Sequence, residues 1–108
     1  MHMKNLKIGN LVVKLPIIQG GMGIGVSLSG LASAVAKEGG IGVISCVGIG
    51  MTEPNYKRNI EKSNELVLRR EIAKALKESK GYGGAIGVNV MMALTDYEEL
   101  LNVCIEEG

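Results

Sequence analysis

The chain has 108 residues, enough for one domain with one modest core. At 46% hydrophobic and 21% charged residues its composition is globular, which excludes general disorder. Lys plus Arg number 12 against 11 Asp plus Glu, basic residues cluster no further than pairs, and 3 Tyr stand without Phe or Trp, so no nucleic-acid partner is expected.

The opening Met1-His2-Met3-Lys4-Asn5 lacks the apolar core of a signal peptide, so a cytoplasmic protein is expected. His2 precedes every predicted element and reads as a terminal residue, not a catalytic one. Residues 1–14 are expected to form an N-terminal cap, with Leu6 to Lys14 as a small hairpin turning at Gly9-Asn10. Leu15 to Gln19 then predicts a short apolar strand. It runs straight into Gly20, Gly21, Met22, Gly23, Ile24 and Gly25, a loop in which successive N–H groups can converge on an anion or a flat polar ring.

Ser27 to Lys37 predicts a helix with Ser27 as N-cap, a stripe of Leu28, Leu31, Ala32 and Val35, and an exit at Gly39-Gly40. Its positive N-terminal end would face the glycine loop. Its other positions are mostly Ala, Ser and Gly, which allows close packing on a sheet. Ile41 to Ser45 predicts a buried strand, followed by a loop through Pro54 and a helix from about Ile60 to Ser79. Leu68, Ile72 and Leu76 mark the inner face of that helix, and Glu61, Lys62, Arg69, Arg70, Lys74 and Lys77 its solvated face.

Gly84 to Val90 predicts a third apolar strand. Thr95-x-x-Glu98 reads as a capping box, and Tyr97, Leu100, Leu101 and Cys104 form the stripe of the last helix. Strands apolar on both faces and alternating with amphipathic helices predict an α/β fold with a parallel sheet. Cys46 and Cys104 fit neither a zinc spacing nor a disulfide framework and read as packed, reduced thiols; no metal site is expected. The run Ile41 to Met51 is too short to span a bilayer.

A dinucleotide fold also opens with a glycine loop after its first strand. Here the frames starting at Gly21 and Gly23 end on Val26 and Leu28, and the frame starting at Gly25 has Ser27 in its middle glycine position. The second strand ends Ile44-Ser45-Cys46, without the carboxylate that would hold a ribose. No Gly-Lys pair occurs, so a phosphate-binding P-loop is absent as well.

Pro16-Ile-Ile-Gln-Gly-Gly-Met22, the helix ending Ala34-Val-Ala-Lys-Glu-Gly-Gly40, the strand Ile41-Gly-Val-Ile-Ser45 and the segment Gly87-Val-Asn-Val-Met91 together resemble the start of nitronate monooxygenases, formerly 2-nitropropane dioxygenases. The related FMN-dependent enoyl-acyl-carrier-protein reductases look similar over the same region. The resemblance implies a (β/α)₈ TIM-type barrel carrying FMN at the carboxyl ends of its strands, with residues 15–108 supplying the first three βα units. It implies that Gly20, Gly21, Met22 and Gly23 border the flavin through backbone contacts and that Asn89 offers a carboxamide at the flavin or its phosphate side, with Gln19 and Ser45 at the same mouth as weaker candidates. An amide within an apolar strand is costly unless hydrogen-bonded, which supports the choice of Asn89.

No catalytic residue is assigned, because in this family the catalytic histidine and the phosphate-gripping loops lie on later strands, and the only histidine here is His2. The expected reaction is oxidation of an alkyl nitronate by O₂ to a carbonyl compound and nitrite; the alternative is an NAD(P)H-dependent enoyl reductase. Three units without the rest of a barrel would leave an open edge, which predicts self-association, and a third expectation is an inactive fragment that binds flavin weakly.

Overall fold

The computed structural model describes residues 3–108, so the expectation for His2 lies outside the described residues. Leu6–Ile8 (β1) and Leu11–Val13 (β2) form the expected antiparallel hairpin, with Gly9 at φ +57 in its turn. Its inner residue Val13 is fully buried, whereas Ile8, Leu11 and Val12 are exposed. The hairpin joins the rest of the chain through Lys14 and Leu15, whose N–H groups donate to the carbonyls of Gly83 and Gly39. It therefore sits at the amino ends of the strands that follow.

Those strands are Ile41–Ser45 (β3) and Ala85–Asn89 (β4), paired in parallel with Ile41 opposite Ala85 and Ser45 opposite Asn89. The expected strand Leu15 to Gln19 is reduced to a single parallel bridge between Ile18 and Ile41, flanked by Ile41 N–H to Ile17 C=O at 2.8 Å and Gln19 N–H to Ile41 C=O at 2.9 Å. Three parallel segments thus lie side by side in chain order. The helices are Ser29–Lys37 (α1), Ile60–Ser79 (α2) and Tyr97–Glu107 (α3), with a 3₁₀ turn at Ile49–Thr52. This is a mixed α/β structure with small sheets, compatible with βα units of a TIM-type barrel.

Gly42, Ile44 and Cys46 face the helices, and Ile44, Cys46, Val67, Leu68, Leu100 and Val103 form the centre of the core. α1 lies unusually close to β3. A Cβ at Gly42 would fall 1.9 Å from the Ala32 carbonyl oxygen, so only glycine admits the helix backbone. The same closeness corrects the expected stripe. α1 buries its small residues Ser29, Ala32, Ser33 and Ala36, while Leu31 stays 36% exposed because no leucine fits against the strand. On α2 the burial of Leu68 and Ile72 follows expectation, but Leu76 remains 37% exposed.

The second face of the sheet departs from the reading of strands buried on both sides. On that face Ile41 and Ser45 of β3 are buried, but Ala85 and Gly87 of β4 are only half-buried and Asn89 is exposed, because among the described residues no helix or strand covers the β4 side. Two apolar grooves mark the flanks, one lined by Leu15, Ile17, Ala34 and Val35, the other by Leu76, Ile86, Val88 and Leu101. Among the described residues no helix is long and apolar enough to cross a membrane.

Candidate functional site

The site residues expected from the sequence lie at or beyond the carboxyl ends of the parallel segments. Gln19 closes the first segment, Ser45 ends β3 and Asn89 ends β4 directly opposite it. From Gln19 the glycine loop crosses the open face of the sheet and reaches Asn89. A Cβ at Gly21 would lie 2.9 Å from Asn89 Nδ2, 3.0 Å from its Cβ and 3.4 Å from its Cγ. The loop and the carboxamide therefore occupy one rim, in contact.

The loop uses its glycines differently from expectation. Gly20, Gly21 and Gly23 do not adopt positive φ, and only Gly25 does, at +74. Gly25 is the third residue of a turn closed by Val26 N–H to Gly23 C=O at 3.0 Å, where glycine is required. At Gly21 the need is for space beside Asn89; at Gly20 and Gly23 no atoms lie within 4 Å of a would-be Cβ, which leaves the main chain open to a ligand. Met22 is 43% exposed on the same rim.

Gln19 carries out a structural task that the sequence does not announce. Its Oε1 accepts from Val43 N–H at 3.1 Å, and its Nε2 donates to Val43 C=O at 3.2 Å and to Ser27 Oγ at 2.8 Å. The side chain thus reproduces one step of strand pairing where the backbone ladder stops, and so fixes where the glycine loop begins. Ser27 is turned inward as well: its hydroxyl donates to Val43 C=O, and its carbonyl accepts from Ser45 N–H at 2.9 Å. It is fully buried and does not cap α1.

The cap of α1 comes instead from α2. Glu71 Oε2 accepts from Ser29 Oγ at 3.2 Å and Oε1 from Ser29 N–H at 3.4 Å. A carboxylate already at this helix terminus engages Ser29 N–H and offsets the positive end, which weakens the terminus as the anion site expected from the sequence. What remains at the rim is open main chain and an exposed carboxamide. That chemistry suits the flat, hydrogen-bonding edge of a flavin ring, and the same donors can meet a phosphate oxygen.

Beside Met22, the rim carries the apolar side chains of Ile24 and Met51, which are not among the residues expected from the sequence. Gly48, at φ +57, follows β3, and a Cβ there would meet Ile24 Cδ1 at 3.0 Å and Met51 Sδ at 3.2 Å. The segments after the first strand and after β3 therefore touch, with Met22, Ile24 and Met51 partly exposed around them. The two cysteines are free, as expected, and burial pushes both thiols up from the ordinary value of 9.0. They are packing residues without an activated thiolate. No group of three or more His, Cys, Asp or Glu among the described residues could hold a metal ion.

No curated protein matches the chain. Residues 4–75 match the family model described as nitronate monooxygenase, which covers most of the chain, including the glycine loop, α1, β3 and most of α2. The chain belongs to the nitronate monooxygenase family.

Proposed function

We propose that the protein is an FMN-dependent oxidoreductase of nitronate monooxygenase type, turning an alkyl nitronate and O₂ into a carbonyl compound and nitrite. Residues 1–14 are its N-terminal cap, and residues 15–108 supply three of the eight βα units of a barrel. The observation that carries this reading is the contact of Gly21 with the Asn89 carboxamide, which puts open main chain and a directed amide on one rim. The uncovered sheet face and the two apolar flanking grooves support a barrel completed by further strands and helices; in isolation the same surfaces favour self-association.

Bound FMN would supply the redox chemistry, exchanging electrons between substrate and oxygen. The residues of this chain bind and orient. Gly20, Gly21, Met22 and Gly23 border the ring through their main chain, and Asn89 hydrogen-bonds its polar edge. Gln19 sets the start of the loop through Val43 and Ser27. Ser45 supports the mouth from the end of β3, opposite Asn89. Met22, Ile24 and Met51, themselves about half exposed, offer apolar contact beside the rim.

Anaerobic reduction of the full-length protein tests the assignment. Bleaching of bound flavin by an alkyl nitronate, with nitronate-dependent oxygen uptake in air, is the expected result. Bleaching by NAD(P)H alone would instead identify an enoyl reductase on the same barrel. A colourless, inert preparation would sink both and leave a weakly binding module.

A further inference from the structure

A buried polar chain joins the segments that follow β3 and β4. Gly50, in the 3₁₀ turn after β3, donates its N–H to Asn64 Oδ1 at 2.9 Å, and Asn64 Nδ2 donates to Asp96 Oδ2 at 3.2 Å. Asn64 is only 6% exposed and Asp96 only 4%. Gly50 rests directly on α2, for a Cβ there would lie 2.6 Å from the Ser63 carbonyl carbon and 2.7 Å from Asn64 N. Asp96 sits just before α3 without capping it through its side chain, so its carboxylate is free to engage Asn64.

The amide is held in one orientation, because its oxygen faces an N–H and its nitrogen faces a carboxylate. A buried carboxylate and amide are a costly way to fill space that apolar side chains could fill, and such networks serve geometry better than stability. The joined segments lead back to the rim: Cys46, between β3 and the 3₁₀ turn, donates its N–H to the Asn89 carbonyl at 3.3 Å. Asp96 begins the helix that follows Asn89 through the 90–95 segment.

We propose that Asn64 and Asp96 are positioning residues, a clamp that fixes the segment after β3 to the segment after β4 and so sets the rim on which Asn89 meets the glycine loop. The clamp rests on the flavin reading only for its effect on FMN. Asn64→Asp keeps the acceptor for Gly50 but sets two carboxylates face to face. The exchange Asn64→Asp with Asp96→Asn restores a donor and an acceptor in reversed order.

The test follows Gly50 amide exchange and FMN binding in the full-length protein and both variants, with circular dichroism reporting the fold. Asn64→Asp alone is expected to lower Gly50 protection and FMN affinity by about tenfold each, and the double exchange to bring both back to within about threefold of the original. Where Asn64→Asp alone fails to fold, recovery of the fold and of Gly50 protection in the double variant supports the clamp, and failure to recover them overturns it. An unchanged Asn64→Asp variant, or a folded double variant that recovers neither readout, also overturns it. Absence of FMN binding in the unmodified protein would strike the flavin reading alone, since Gly50 exchange still reads the clamp.

Discussion

A single methyl group at position 21 tests how the rim works. Gly21 does not adopt positive φ, so alanine brings no backbone strain there and its effect is steric. The new Cβ would lie 2.9 Å from Asn89 Nδ2 and 3.0 Å from Asn89 Cβ. Rotation of the carboxamide relieves the first contact. The second does not change with any rotamer of Asn89, because β4 fixes the Cβ, so the loop must lift by a few tenths of an ångström, at a cost of about 1 kcal/mol. Because Asn89 is exposed, folding loses little beyond that. Flavin binding should lose the directed hydrogen bond of the displaced amide, about 1.4 kcal/mol or tenfold in affinity. Gly23 is the control: a Cβ there has no neighbour within 4 Å, and alanine should change stability by less than about 0.5 kcal/mol. Urea unfolding and quenching of FMN fluorescence, read for Gly21→Ala, Gly23→Ala and Asn89→Ala, separate the two effects. Gly21→Ala and Asn89→Ala should weaken FMN together. Equal FMN affinity for Gly21→Ala and Gly23→Ala would refute the reasoning.

Other consequences are local. Glu71→Ala removes the side-chain acceptor on Ser29 N–H and should cost about 1 kcal/mol in chemical denaturation, with the loss reported first by amide exchange at the start of α1. Gly42→Ala forces a Cβ to 1.9 Å from the Ala32 carbonyl oxygen and should destabilise by about 3 kcal/mol or more, enough to appear as loss of soluble protein. Cys46 and Cys104 are held neutral by burial, above their ordinary 9.0, so the folded state retains protons that the unfolded state releases. Their contribution is present below pH 9.0 and is lost as pH rises past that value toward the raised folded values; a Cys46→Ala, Cys104→Ala double variant should show a flatter alkaline limb in pH-dependent unfolding.

Periodicity located the elements well and their details less well. α2 spans the residues its pattern predicts because a long amphipathic helix carries many turns of signal, and Asn59 starts it by accepting from Lys62 N–H at 3.0 Å. The start of α1 misleads because Ser27 has the residue type of a cap, yet its hydroxyl bonds Val43, and Glu71 arrives from a distant part of the chain. Leu31 is apolar at helical spacing, but the approach of α1 to Gly42 admits only small residues. The strand Leu15 to Gln19 loses its ladder because a side-chain amide substitutes for main chain, an exchange that no pattern of hydrophobicity reveals. The start of α3 repeats the lesson: Thr95 to Glu98 has the spacing of a capping box, while Asp96 occupies the cap position and turns its carboxylate to Asn64. At the rim, the motif Gly20 to Gly23 and Asn89 was legible from residue type, and their contact comes from the loop crossing the sheet. The expectation that Asn89 needs a partner inside a buried strand does not hold, because the β4 register turns it to the uncovered face.

In the proposed function, open main chain after Gln19 and the carboxamide of Asn89 form one flavin-binding rim. Titrating FMN into the isotopically labelled full-length protein tests it most directly. The Gly20, Gly21 and Gly23 amides and the Asn89 side-chain NH₂ are expected to shift together along one saturable curve, while the α1 terminus at Ser29 stays unmoved. Saturable binding that shifts Ser29 and leaves Asn89 untouched would contradict it.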